Sequence, residues 1–404
     1  MLLLYNIAIQ LYGLIIKIFS LFNNKAKLFV QGRKNIFKKI QKKIDPAKSS
    51  IWFHFASLGE FEQGRPLLEK IKSTYPEKQI IITFFSPSGY EIRKDYALAD
   101  GLFYLPLDTP SNAKQLIAAI NPEIAIFTKY EYWYHYFKVL HQSGIPLYII
   151  SGIFRPDQIF FKWYGSFNRK ILSFVNHFFV QNEESKQLLS QININNVSIS
   201  GDTRFDRVAE NAKSPKEFET IRKFCDNKNT LIAGSTWPAD ERLLAALINA
   251  HPNWKFIIAP HEIDRAHIDE IVKLIPEAVK YSALPDQFIN AQTLIIDNIG
   301  LLSSIYQYGQ VAYIGGGFGV GIHNTLEAAA FGIPVIFGPK YDKFQEAKDL
   351  VSIKAAISIN NAEELFSAFQ KLTAYKTSGD LAKSYVSTKT GSTDQIIKYI
   401  AQNF

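Results

Sequence analysis

The chain has 404 residues, 47% of them hydrophobic and 20% charged, a length and composition that suit two globular domains and exclude a disordered chain. Its single cysteine, Cys225, excludes an internal disulfide framework and a cysteine-based zinc site, and reads as a plain thiol in a reducing compartment. The net charge of +8 is local: Lys25, Lys27, Arg33, Lys34, Lys38, Lys39, Lys42, Lys43 and Lys48 stand against Asp45 alone, so the rest of the chain is close to neutral.

Directly before that basic run, Met1 to Phe22 is apolar except for Asn6, Gln10 and Lys17. A helix rising about 1.5 Å per residue is just long enough there to cross a bilayer. The three polar residues fall within about 40° of one another on such a helix, leaving a narrow polar stripe and a broad apolar face. A single crossing, the first expectation, and an in-plane anchor both fit. No charge precedes the apolar run and no small-residue cleavage site follows it, which argues against a signal peptide. Basic residues after the run keep the globular part cytoplasmic and suit anionic headgroups. Nucleic-acid binding is the rival explanation of the cluster, and the adjoining apolar anchor argues against it. The expected domains are an anchor helix at 1–24, a first α/β domain at 25–206 with its basic segment at 25–48, and a second at 207–404.

Short apolar runs alternating with helix-like stretches mark parallel α/β structure. Strands are predicted at 51–56, 79–85, 102–107, 123–128, 146–152, 177–181 and 197–201, then at 230–235, 254–260, 293–298, 311–316, 333–339 and 355–360. Segments such as 62–75 and 239–250 are crossover helices. The polar stretch 206–229 separates the two series. Two doubly wound sheets bind ligands at the carboxyl edges of their strands, and a cleft between two such domains is expected. The last helix, predicted at 393–404, is expected to pack back on the first domain.

The strongest local signal runs Gly315-Gly316-Gly317-Phe318-Gly319-Val320-Gly321-Ile322-His323-Asn324-Thr325-Leu326-Glu327. It predicts a strand, a glycine-rich loop and a helix starting near Asn324, whose N–H groups suit a phosphate while Glu327 suits ribose hydroxyls. A tight strand–helix turn with Glu327 as a capping carboxylate explains it equally well. Ser235 and Thr236 after Gly234 suit a phosphate or a helix cap. Asn298-Ile299-Gly300 is a weaker loop signal. In the first half, His54-Phe55-Ala56-Ser57-Leu58-Gly59-Glu60 leaves a strand with a carboxylate fit for general-base work on a hydroxyl, or for complementing a helix dipole. Thr128-Lys129-Tyr130-Glu131-Tyr132-Trp133 brings a second acid among aromatics.

No metal or other cofactor is expected. No Asp-x-Asp motif stands where a cation would hold a diphosphate. His261 and His267 are six residues apart, unlike the i, i+4 pair of zinc proteases. Neither a Walker loop nor a Gly-x-Ser-x-Gly elbow is present.

In order and spacing, these stretches resemble the Kdo transferase family, which moves 3-deoxy-D-manno-octulosonic acid (Kdo) from CMP-Kdo to the lipid A precursor of lipopolysaccharide. The resemblance runs from the anchor to about Leu350. It rests on Ser57-Leu58-Gly59-Glu60, Ser86-Pro87-Ser88-Gly89-Tyr90-Glu91, Leu105-Pro106-Leu107-Asp108, Glu131 with Tyr132-Trp133, and Gly201-Asp202-Thr203-Arg204-Phe205-Asp206. In the second half it rests on Gly234-Ser235-Thr236, His323-Asn324 with Glu327, and Gly338-Pro339 with Phe344 and Glu346. The resemblance implies a GT-B fold of two Rossmann-like domains, inversion at the anomeric carbon, no metal, and action at the cytoplasmic face of the bacterial inner membrane. It implies Glu60 as general base, with Ser57 and Gly59 on the acceptor side, and Glu131 and Arg204 as transition-state groups. For the CMP-Kdo donor it implies Ser235, Thr236, Pro260, His261, Ile299, Gly300, Leu301, Gly317, His323, Asn324, Thr325, Leu326 and Glu327. The chain departs from the family at Lys129, where an acid is usual, at His261, where an arginine is usual, and at Arg204, where a lysine is usual. The alternatives are a GT-B enzyme using a UDP-sugar and a non-catalytic binding protein at the membrane surface.

Overall fold

The computed structural model describes residues 1–284, 288–375 and 377–403. The chain divides into one unit of residues 1–206 with 391–404 and another of residues 207–390. Each is built on a seven-stranded sheet whose pairings are all parallel.

The first unit opens with α1 (Leu2–Phe19), α2 (Asn24–Arg33) and α3 (Ile36–Lys43). Its strands are β1 (Ser50–Phe55), β2 (Gln79–Phe84), β3 (Gly101–Tyr104), β4 (Pro122–Thr128), β5 (Leu147–Gly152), β6 (His177–Val180) and β7 (Val197–Ile199), with α4 (Leu58–Thr74) following β1. They lie in the order β3-β2-β1-β4-β5-β6-β7, which reverses direction between β1 and β4. Side chains alternate across the sheet: Ile51, Phe53 and Phe55 enter one core and Trp52 the other. Burial on both faces is why these strands read as unbroken apolar runs.

The second unit holds β8 (Thr230–Thr236), β9 (Lys255–Pro260), β10 (Val279–Lys280), β11 (Thr293–Ile295), β12 (Val311–Ile314), β13 (Val335–Phe337) and β14 (Ala356–Ser358). Their order is β10-β11-β9-β8-β12-β13-β14, with the reversal between β8 and β12. The thirteen predicted strands are all present, several of them shorter than expected. The two-residue strand β10 was not foreseen, since so short an edge strand leaves no periodic pattern. The final helix is Ser392–Ile400, followed by a turn of 3-10 helix at Ala401–Asn403; Phe404, the predicted end, lies outside the described residues. Asp206 accepts bonds from the N–H groups of Gly391 and Thr393 and from the Thr393 hydroxyl, tying down the start of that helix. Its Ile396 and Ile400 enter the core of the first unit, and Tyr399 lies against the buried His177 ring at 4.2 Å.

Candidate active-site edges

In an open parallel sheet the loops leaving the strands on either side of the reversal splay apart and leave room for a ligand. In the first unit those loops follow β1 and β4. The first carries Ser57, Gly59 and Glu60, the second Lys129 through Trp133. Ser57 takes the cap position of α4, and its hydroxyl donates to Glu60 Oε2. That contact holds a carboxylate which the first turn of a helix already favours. Gly59 is exposed, and a Cβ there would meet nothing closer than Ser57 Oγ at 3.8 Å.

Glu131 is fixed from inside the sheet. Trp52 Nε1 donates to Thr83 Oγ1 at 2.8 Å, and that hydroxyl lies 2.8 Å from Nδ1 of the fully buried His54. Indole N–H is only a donor, so the threonine hydroxyl is free to donate onward to Nδ1, which places the imidazole proton on Nε2. Nε2–H then donates to Glu131 Oε2 at 3.1 Å, and Trp133 Nε1 donates to the same oxygen at 2.8 Å. No single stretch of sequence announces this relay. It depends on β1 pairing with β2 and β4, with Thr83 and Phe127 as partners of His54.

Lys129 has φ 59°, a left-handed conformation that non-glycine residues seldom adopt. It lies within electrostatic reach of Asp202. Arg204 clasps Asp202 through Nε and Nη2, both at 2.8 Å, and donates its backbone N–H to the same carboxylate at 2.9 Å. Burial opposes charge on Asp202, but Arg204 and Lys129 outweigh it and hold the carboxyl below its ordinary range. Arg204 therefore stands at the start of the helix Arg204–Lys213 as one half of an ion pair. Tyr130 sits near Glu60 and bonds Arg155, a pairing that sequence spacing did not suggest.

In the second unit the named segments leave four strands that are neighbours in the sheet, β11-β9-β8-β12. Ile299, Gly300 and Leu301 follow β11, and Ile299 is 86% exposed. Pro260 ends β9, and the His261 N–H donates to Thr236 O at 2.9 Å. Ser235, at the end of β8, has φ 54°. The loop after β12 is glycine-rich largely because backbones meet there. A Cβ on Gly315 would lie 2.3 Å from Ser235 O, and one on Gly317 would lie 2.6 Å from the Cα of Gly338.

Two details differ from expectation. The helix after this loop is Leu326–Ala330, so it starts two residues later than predicted, with Glu327 in its first turn. Asn324 explains the delay: its Oδ1 accepts from the Leu326 N–H at 3.0 Å, holding an Asx turn, and its Nδ2 donates to Glu327 Oε1 at 3.2 Å. Five residues supply little macrodipole, so individual N–H groups remain as the attraction for an anion. Thr325, beside them, is fully buried and its hydroxyl has no partner among the described residues. Burial raises the Glu327 carboxyl above its usual range, against the pull of Arg207. The second difference concerns Thr236. It is fully buried, and its hydroxyl donates inward to Glu241 Oε1 at 2.9 Å. The other Glu241 oxygen lies 3.0 Å from His267 Nε2, while His267 Nδ1 lies 2.9 Å from the Glu262 carbonyl, so a proton is shared between the two side chains.

His261 and His323 are also connected. Trp237, absent from the sequence expectations, stacks on His261 at 4.9 Å, and His261 stacks on His323 at 4.3 Å. Trp237 Nε1 donates to His323 Nε2 at 3.1 Å. Burial, with His261 adding to it, pushes His323 down to about 4, so it works as a neutral ring with its proton on Nδ1.

Residues 31–207 match the family model described as 3-deoxy-D-manno-octulosonic-acid transferase (Kdo transferase). The 3-deoxy-D-manno-octulosonic acid transferase of Chlamydophila psittaci is 29% identical over 322 residues, 76% of this chain and 74% of the relative. In fold, the UDP-GlcNAc 2-epimerase of Neisseria meningitidis superposes with a TM-score of 0.61 at 15% identity, covering 87% of this chain and 100% of that one. The calicheamicin glycosyltransferase CalG4 does so at 0.54 and 11%, covering 88% and 98%. The family-model match over residues 31–207 and the 29%-identical relative show that this chain is similar to the Kdo transferases, and its two Rossmann-like parallel-sheet domains are of GT-B type.

Proposed function

We propose that the chain is an inverting, metal-independent transferase that moves Kdo from CMP-Kdo to the lipid A precursor at the cytoplasmic face of the inner membrane. The observation that supports this most is the pair of carboxylates at the ends of β1 and β4, each held through one oxygen, in a chain that resembles this family. Glu60 takes the proton of the acceptor's primary hydroxyl as that oxygen attacks the anomeric carbon of Kdo. The bond from that carbon to the phosphate oxygen breaks, its electron pair leaves with CMP, and the configuration inverts. Glu131 is placed by His54 and Trp133 to meet positive charge developing on the sugar. Arg204 answers the negative charge of the donor.

In the second unit, Ser235, His261, His323, the Ile299–Leu301 loop and the Asn324–Glu327 turn hold CMP, with Glu327 on the ribose hydroxyls. The leaving group is a phosphate monoester, whose charge backbone N–H groups and cations such as Lys340 stabilise without a metal. The acceptor's acyl chains stay in the bilayer, which gives the anchor and its basic collar a purpose.

The direct test incubates purified protein with CMP-Kdo and the tetra-acylated lipid A precursor, with EDTA present, and reads the product mass. A gain of one or more Kdo units supports the reading; its absence, with donor intact and protein folded, ends it. Glu60→Gln should keep its fold and its protection by CMP while turnover falls by roughly 10²–10⁴-fold. Near-parental turnover would remove Glu60 from the role of base.

A further inference from the structure

The helix α1 is not a free arm. Tyr5 donates from its hydroxyl to Asp108 at 2.6 Å, and Asn6 Oδ1 lies 2.7 Å from His135 Nε2. Further along, Tyr12 lies against Phe85 at 6.1 Å, and Gly13 approaches Leu107 so closely that a Cβ would come within 2.7 Å. Ile16 and Phe19 border an apolar pocket with Phe29 and Phe85, of about 270 Å³. These contacts extend over the helix's whole length, about 27 Å at 1.5 Å per residue. All lie within the first unit.

The opposite face has no protein cover. Leu4, Ile7, Leu11, Ile15 and Ile18 are all exposed, and Leu3 and Leu14 extend the same surface. At 100° per residue these seven occupy an arc of about 120° containing no polar side chain. The turn after α1 adds Leu21 and Phe22, the latter 83% exposed, before the basic helices α2 and α3 begin. Trp163 is 90% exposed, with Tyr164 beside it, and nearby Phe167 lies against the Tyr5 ring at 5.5 Å. That contact brings an exposed tryptophan and tyrosine to the flank of α1, and both residues favour the headgroup level of a bilayer.

We propose that α1 lies flat in the surface of an anionic bilayer, docked along one side to the protein and buried along the other in lipid. This rests on the proposed action at the membrane and replaces the first expectation of a crossing. A crossing helix would have to carry the Asp108 carboxylate and His135 into the hydrocarbon with it, or abandon both bonds. A flat helix keeps them, buries its aliphatic arc to the acyl boundary, and leaves the lysines of α2 and α3 to the headgroups.

Gln10→Cys and Lys17→Cys, two exposed positions on the polar stripe outside the aliphatic arc, each in a Cys225→Ala background, test the orientation. The protein is bound to sealed phosphatidylcholine–phosphatidylglycerol vesicles and treated with a membrane-impermeant maleimide. A flat helix leaves both positions labelled to the same extent from outside. Protection of one position, with labelling restored by detergent, means a crossing and overturns the proposal. Failure to float with the vesicles overturns it as well, and so does a salt-resistant dimer that covers the aliphatic arc. Kdo transfer is measured in detergent on the same samples. Active protein with a protected cysteine loses the flat helix alone, whereas flat but inactive protein loses the proposed reaction alone.

Discussion

Gly59 and Thr236 show how differently two residues of similar appearance in the sequence are used. Gly59 is in the first turn of α4, has no left-handed backbone angle, and leaves room for a Cβ. Nothing inside the protein demands a glycine there. Alanine should raise helix stability by up to about 1 kcal/mol. If the space above Gly59 belongs to the acceptor, Gly59→Ala will keep or raise the Tm while transfer falls at least tenfold; unchanged transfer would show that no ligand approaches that close. Thr236 is the reverse case. Its hydroxyl is committed to Glu241, so Thr236→Val should cost about 1–3 kcal/mol by stripping a buried carboxylate of a donor. Thr236→Ser should be mild. Denaturant midpoints check both, and CMP protection of the valine variant should remain if Thr236 serves the framework. Both readings of Thr236, phosphate ligand and cap, were open in the sequence because a hydroxyl after a strand looks the same whichever way it turns.

At the scale of elements, the C-terminal helix shows why burial matters to pH. His177 on β6 is 7% exposed, its Nε2 lies 2.8 Å from Ser198 Oγ, and Tyr399 covers its ring. Burial pushes its pKa down to about 4. Between about 6.5 and 4 the unfolded chain takes up a proton that the native histidine refuses, so stability is full above about 6.5 and declines as pH falls through that window. His323 acts in the same direction. Urea midpoints should therefore drop between pH 7.5 and 4.5, and His177→Gln should flatten the drop; an identical slope in the variant would reject His177 as a source. The sequence made the helices and strands legible through their apolar runs. It did not reveal that β6 carries a histidine which the last helix must cover, because that contact joins positions more than two hundred residues apart. The His54–Glu131 relay was hidden for the same reason. Its two ends lie in separate motifs, and only strand pairing joins them.

For the molecule as a whole, alternation of apolar runs and helices was enough to give two parallel sheets, and the motifs fell at strand ends because that is where a parallel sheet presents its loops. The direction of each polar side chain was not legible, since it depends on partners distant in sequence. The second unit has its own sheet, and a core drawn from Leu231 through Leu372. Every donor-side candidate from Ser235 to Glu327 belongs to it, as does Arg207, whose charge acts on Glu327. A fragment of residues 203–390 keeps the helix Arg204–Lys213 and should fold on its own. If the nucleotide is bound by this unit alone, CMP at a hundred times its Kd will stabilise the fragment by about 2.7 kcal/mol, and the full chain by the same amount, while UDP at equal concentration will not. Thermal or urea unfolding of fragment and full chain side by side decides it. Equal protection by UDP would favour a UDP-sugar donor. Protection of the full chain without protection of a folded fragment would mean that the first unit supplies part of the nucleotide site, and the division of roles between Glu60 on one sheet and the glycine loop on the other would have to be redrawn.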